Sequence, residues 1–144
     1  VLRGIKTLAL RMKAHQDNAI KIAEFLHKHK SVSKVYYPGL EDHKGHDINA
    51  AQTDGPGGML AFELTHANLV DKLLASLKIF TLAESLGAVE SLVCVPAKMT
   101  HASIPPEERR RVGIEESLIR LSIGIEDADD LLEDLDQALD KIST

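Results

Sequence analysis

The 144-residue sequence predicts an α+β fold, a small, mostly antiparallel sheet with helices packed on one face. Apolar residues recur every three or four positions in long stretches near both ends of the chain, which is the spacing of amphipathic helices. Between those stretches lie short runs that alternate with period two or are continuously apolar, which is the signature of strands. No internal repeat, low-complexity tract or linker divides the chain, so residues 1–144 read as one domain.

The elements follow in order. From about residue 5 to 29, Ile5, Leu8, Met12, Ala19, Ile22 and Leu26 mark one long amphipathic helix. His27 and His29 near its end suit the negative pole. Ser31 to Tyr37 is strand-like and is closed by a turn at Pro38-Gly39. Residues 40–52 are polar with room for one short helix, and 54–58 (DGPGG) is a loop. Met59 to Leu64 reads as a strand, and Ala67 to Leu77 as a helix with Leu69, Leu73, Leu74 and Leu77 inward. Phe80 to Ala83 and Ser91 to Val95 are short strands flanking a turn at Gly87. Pro105-Pro106-Glu107-Glu108 opens a short helix, with proline in its first turn and acids at its positive end; Arg109, Arg110 and Arg111 follow and Gly113 stops it. The last helix starts at Asp127, has Asp129 and Asp130 in its first turn and Lys141 in its last, and buries Leu131, Leu132, Leu135, Leu139 and Ile142.

The strand before that helix is the most informative segment. From Ser117 to Asp127 it alternates: Ile119, Leu121, Ile123 and Ile125 point to the core, and Arg120, Ser122 and Gly124 point away. Arginine matches a carboxylate with two parallel hydrogen bonds. If the second face lines a pocket, Arg120 is a carboxylate clamp; if it faces water, Arg120 is a solubilising charge.

Composition excludes several classes. Hydrophobic residues make up 44% and charged residues 27%, and the net charge is −5. A general nucleic-acid or anionic-membrane binder needs a basic face, so neither partner is expected. No apolar run approaches the roughly 18 residues that span a bilayer, and no segment is expected to act as a signal peptide. The lone Cys94 excludes an internal disulfide and fits a reducing, cytoplasmic setting; flanked by Val93 and Val95, it reads as a buried, inert thiol. The chain opens Val1-Leu2-Arg3-Gly4 with helical patterning already running by Ile5, as expected of a fragment of a longer protein.

Other candidates read as structural. The glycines at 55–58 lack the Gly-Lys-Ser/Thr ending of a phosphate loop and lead into a strand. His43 and His46 lack a third ligand, so they read as surface histidines and no metal site is expected. The run Glu107 to Arg111 is a solvated helix face. Ser85, in Ala83-Glu84-Ser85-Leu86-Gly87, is not the nucleophile elbow of hydrolases but stands ready to donate to a ligand at a strand end. Residues 98–103 (KMTHAS) form a second polar cluster.

Three blocks together carry a resemblance: Phe80 to Leu92 (FTLAESLGAVESL), Pro96 to Pro105 (PAKMTHASIP), and Leu118 to Asp127 (LIRLSIGIED) with the leucine-rich helix after it. In this order and spacing, with Arg3 to Leu8 and Tyr37 to Leu40 also matching, the chain resembles the C-terminal domain of the pyridoxal-phosphate enzymes of cysteine and methionine metabolism. Within the family it is most similar to cystathionine γ-lyases, with γ-synthases next. The resemblance implies the C-terminal domain of a fold-type I enzyme, a small amino-acid substrate, and a homotetramer when full length. It also implies that pyridoxal phosphate is held by an N-terminal domain outside this chain. Arg120 matches the arginine that grips the substrate α-carboxylate, and Ser85 the serine near that carboxylate and the catalytic lysine. Glu84 matches a position that is acidic in cystathionine-handling members and would meet the distal ammonium. Thr100 matches a polar residue at the pocket edge. No lysine here sits in the family's cofactor-lysine motif, so no catalytic residue is expected in this chain and the chain alone is expected to be inactive. The resemblance implies cleavage of cystathionine to cysteine, 2-oxobutyrate and ammonia. The alternatives are a γ-synthase domain, or a stand-alone non-catalytic module for amino-acid binding or oligomerisation.

Overall fold

The computed structural model describes residues 1–143. Five strands form one sheet in the order β1-β2-β5-β4-β3. They are β1 (Val32–Tyr36), β2 (Met59–Leu64), β3 (Thr81–Leu82), β4 (Leu92–Cys94) and β5 (Leu118–Ser122). Three of the four pairings are antiparallel, and β3 runs parallel to β4, so the expected mostly antiparallel sheet is what forms.

The helices are α1 (Leu2–Ile5), α2 (Leu8–Lys28), α3 (His46–Gln52), α4 (Val70–Leu74), α5 (Pro106–Arg111) and α6 (Ala128–Ile142). Helices α2, α4 and α6 cover one face of the sheet and share its core. Ala19, Ile22, Ala23 and Leu26 of α2 meet Leu131, Leu135, Ala138 and Leu139 of α6, each fully buried, over Phe62, Ile119 and Leu121. The Asp127 carboxylate accepts from the Asp129 backbone N–H at 2.9 Å and caps α6. The α6 stripe runs as the spacing predicts, except that Leu132 is only half-buried.

Several elements depart from the sequence reading. The first helix breaks at Lys6-Thr7 into α1 and α2, and Ile5, Leu8 and Met12 are exposed rather than packed. Burial on α2 begins only at His15, so the sheet does not extend beneath the first two turns. Residues 67–77 hold a 3₁₀ turn at Ala67–Leu69 and the short α4; of the four expected leucines only Leu73 is fully buried, and Val70 takes an inward place. The strands on either side of Gly87 pair in parallel, not as a hairpin, so residues 83–91 must cross from one end of β3 back to the start of β4. Strand β5 stops at Ser122, and Ile125 is 41% exposed instead of facing the core. Arg109, expected on a solvated face, is buried: it donates to the Ile104 carbonyl at 2.8 Å and pairs with Glu116 at 2.5 Å. Cys94 is buried, as expected.

Candidate functional site

The site is built on the face of β5 turned away from the helices. In the antiparallel ladder Arg120 lies opposite Ala61 on β2 and Cys94 on β4. Cross-strand partners share a face, so two small side chains flank the arginine and leave its long side chain room to extend over the sheet. It extends over β4 toward the segment that follows β3. There Arg120 Nη2 donates to the Ser85 carbonyl at 3.2 Å and, more weakly, to the Glu84 carbonyl at 3.4 Å. No carboxylate lies within 4.0 Å of the guanidinium among the described residues. The result is a half-buried cation, steered by two carbonyl dipoles and not neutralised. That arrangement can receive an anion with the geometry of a carboxylate.

Of the four predicted binding residues, the structure brings Arg120, Glu84 and Ser85 together. The contacts are to the carbonyls of Glu84 and Ser85; both side chains are exposed, with the Ser85 hydroxyl and Glu84 carboxylate left open to solvent. Thr100 is not joined to them. It lies in the turn after β4, and its hydroxyl pairs with His101 Nδ1 at 2.8 Å.

The loop from Ala83 to Ser91 is attached to the tail of β5 at several points. Gly87, with φ +76°, donates its N–H to the buried Ser122 hydroxyl at 2.8 Å. That left-handed backbone is easily reached by glycine. Ser91, fully buried, gives its N–H and its hydroxyl to the two oxygens of the Glu126 carboxylate at 2.6 and 2.9 Å. A side chain at Gly124 would meet the Val89 carbonyl, the Ser91 N–H and Glu126, so the close approach of loop and tail requires glycine there. Sequence reasoning placed Ser122 and Gly124 on the right face of the strand but assigned them no role, and it passed over Glu126.

Asp134, another residue not picked out, is a buried carboxylate on α6. It accepts from the backbone N–H groups of Lys78, Ile79 and Phe80 at 2.8 to 3.3 Å and so fixes the entry to β3. A carboxylate with a glutamine three residues on (Gln137, which donates to it at 3.1 Å) was the available signal.

The remaining candidates lie elsewhere. His43 Nδ1 accepts from the Gly45 N–H at 3.1 Å, and His46 Nδ1 pairs with the Pro38 carbonyl at 2.9 Å. His29, Asp136 and Asp140 bring ligand atoms within 4.8 Å of one another, but at the surface, and His29 already accepts from Ser31. A cavity of about 380 Å³ lies along β1 between His27, Tyr36 and Lys44, remote in sequence from the Arg120 loop. Beside it the Tyr36 hydroxyl donates to Glu63, and its pKa is raised to about 12, first by burial and then by that carboxylate. No helix among the described residues is long and apolar enough to cross a membrane.

Every lysine of the chain is exposed. A lysine that forms a Schiff base works from a desolvated pocket, so none of these fits as the anchor for an aldehyde cofactor.

Comparison with known proteins agrees with the resemblance read from the sequence. The profile of the family described as Cys/Met metabolism PLP-dependent enzyme matches residues 1–140. A cystathionine beta-lyase of Lactococcus lactis subsp. cremoris (strain MG1363) is 61% identical over 98% of this chain and 37% of its own length. A cystathionine gamma-lyase of Bacillus subtilis (strain 168) is 57% identical over 99% of this chain and 38% of its own. The crystal structure of cystathionine gamma synthase from Xanthomonas oryzae pv. oryzae, in complex with aminoacrylate and cysteine, superposes with a TM-score of 0.95 at 50% identity, over 99% of this chain and 37% of that one. The chain thus spans a little over a third of the length of the relatives it matches.

Proposed function

The chain belongs to the Cys/Met metabolism PLP-dependent enzyme family, and on that footing we propose that it is the C-terminal, substrate-binding portion of an enzyme that cleaves cystathionine. The reaction is a γ-elimination giving cysteine, 2-oxobutyrate and ammonia. The observation that carries the reading is the Arg120 guanidinium, aimed by the Glu84 and Ser85 carbonyls and without a carboxylate partner. Arg120 grips the substrate α-carboxylate and thereby fixes the orientation of the Cα–H bond. The open Ser85 hydroxyl stands beside that carboxylate, the Glu84 carboxylate receives the distal ammonium, and Thr100 borders the pocket once the remaining part of the enzyme closes over it.

The family's cofactor is pyridoxal phosphate, which supplies the carbanion chemistry when bound. With every lysine exposed, its anchor belongs to an N-terminal portion outside this chain, and the chain alone is inactive. The whole enzyme is proposed as a cytoplasmic homotetramer, which light scattering on the native protein tests. The buried, unpaired Cys94 supports the reducing compartment.

A second reading is β-elimination, which would release homocysteine, pyruvate and ammonia from the same substrate. The 61% identity to a relative named cystathionine beta-lyase favours it. Synthase chemistry, replacing an activated homoserine γ-substituent by cysteine, has support from one relative at 50% identity. An assay of the cofactor-loaded native polypeptide with cystathionine separates the lyases: 2-oxobutyrate supports the first reading and pyruvate the second. In the same assay Arg120→Ala should cost about 3 kcal/mol in kcat/KM, on the order of a hundredfold, as for an uncompensated charge in a closed site. A loss below about threefold would overturn the clamp. An intact mass of the native polypeptide near 15.8 kDa would favour the stand-alone module instead.

A further inference from the structure

The loop that aims Arg120 is itself held by residues to which the proposed function gives no part. Its two ends join the β3–β4 ladder through Ala83 N–H to the Val93 carbonyl and Thr81 N–H to the Ser91 carbonyl, and its other attachments land on the tail of β5, the seven residues from Arg120 to Glu126. Ser122 Oγ accepts from Gly87 N–H, and the Ile125 N–H donates to the Val89 carbonyl at 2.8 Å. Glu126 takes both donors of Ser91, while the Ser91 hydroxyl oxygen accepts from the Gly124 N–H at 2.8 Å. On its other side the tail is fixed to α2. His15 Nδ1 pairs with the Ile123 carbonyl at 2.6 Å, and the Asn18 amide donates to the carbonyls of Gly124 and Glu126 at 3.2 and 2.9 Å. One strand therefore carries the cation, and its own continuation holds the loop whose carbonyls steer that cation. The guanidinium has no other hydrogen-bond partner among the described residues, so its direction follows the loop.

We propose that Ser122 and Glu126 are positioning residues for recognition of the substrate carboxylate, acting through the backbone of the 83–91 loop on Arg120. The inference rests on the reading of Arg120 as the carboxylate clamp. Glu126 is the stronger of the two, because hydrogen bonds to an ionised acceptor exceed neutral ones and it makes two of them. Ser122 supplies a neutral acceptor two residues from the clamp on the same face.

The test uses the full-length, cofactor-loaded enzyme with two substrates, cystathionine and its α-carboxamide, which cannot form the ion pair. The readout is the ratio of their kcat/KM values. Loss of fold or of cofactor lowers both alike; loss of aim lowers the ratio. Glu126→Ala should reduce the ratio about tenfold, the factor that corresponds to one misplaced charge-assisted hydrogen bond, and Ser122→Ala, which removes a single neutral acceptor, by about threefold. The change should appear in kcat/KM for the acid, with that for the amide little altered. Glu126→Gln keeps the shape and one acceptor for Ser91 N–H and should reduce the ratio by about threefold, half of that interaction in free energy. It carries the test alone should the alanine variants not fold. Arg120→Ala is the control. If it leaves the ratio unchanged, the clamp itself fails and this inference with it. If it collapses the ratio while the Ser122 and Glu126 variants retain it, the clamp stands and the positioning role is wrong.

Discussion

The two faces of β5 are built by different physics. Ile119 and Leu121 point to the helices and are fully buried among Phe62, Leu131 and Leu135. Contacts of that kind are non-directional and tolerate a shifted neighbour if volume is kept. Arg120 and Ser122, on the opposite face, meet a loop through N–H, hydroxyl and carbonyl groups whose geometry admits little change. Adjacent residues of one strand thus divide the labour: odd positions hold the chain folded, and even positions aim a charge.

The division is broken most severely at Leu121. Leu121→Ala should destabilise the chain by about 2–5 kcal/mol, the cost of a buried leucine plus the cavity it leaves, read as a lower urea midpoint with unchanged slope. Arg120→Ala, next to it but facing away, should change stability by less than about 0.5 kcal/mol. Comparable losses of stability from both would mean that the faces are not separable.

Gly124→Ala tests the same boundary from the polar side. Its new methyl group meets the Val89 carbonyl and Ser91 N–H, so loop and tail must part. Overpacking of this kind costs about 1–3 kcal/mol. The core face is untouched, so proteolysis within 83–91 should accelerate while cleavage in α6 does not. Equal acceleration at both places would merge the two regions into one cooperative unit.

Legibility in the sequence followed the same line. Period-two alternation placed Arg120 opposite the core, and period 3.6 located α6 almost residue by residue, because burial on the core face is set by local spacing. It could not tell where an apolar stripe stops being covered. Ile5, Leu8 and Met12 continue the α2 stripe with no sheet beneath them, and Ile125 continues the β5 alternation after the ladder has ended. Arg109 looked solvated because its partner Glu116 lies beyond the end of the helix. On the polar face, alternation marked Arg120 and the strand-end position marked Ser85, but the pairing of Arg120 with the Glu84–Ser85 segment came through resemblance. The bonds that hold their loop join Ser91 to Glu126 and Gly87 to Ser122 across 35 residues, and no periodicity carries such a signal. Thr100, matched by the resemblance to the pocket edge, pairs locally with His101 and makes no contact with the clamp within this chain's described residues.

The smallest effect separates the faces most directly, because two adjacent tyrosines report on one each. Tyr37 is buried against the core with its hydroxyl donating to the Gly57 carbonyl, and burial alone pushes its pKa well above the ordinary value of 10.0. Tyr36 lies on the polar face, raised to about 12 by burial first and then by Glu63. These are the only two tyrosines in the chain, so an ultraviolet titration reads them without interference. Folded protein should show almost no phenolate at pH 11. Above pH 10 the unfolded chain loses these protons while the folded chain keeps them, so stability must fall as pH rises from 10 toward 12. Glu63→Gln removes the hydrogen-bonded charge from the polar face only. It should bring the first ionisation down and leave the second in place. If both move together, the polar face and the core share one electrostatic environment, and the division of labour along β5 does not extend to β1.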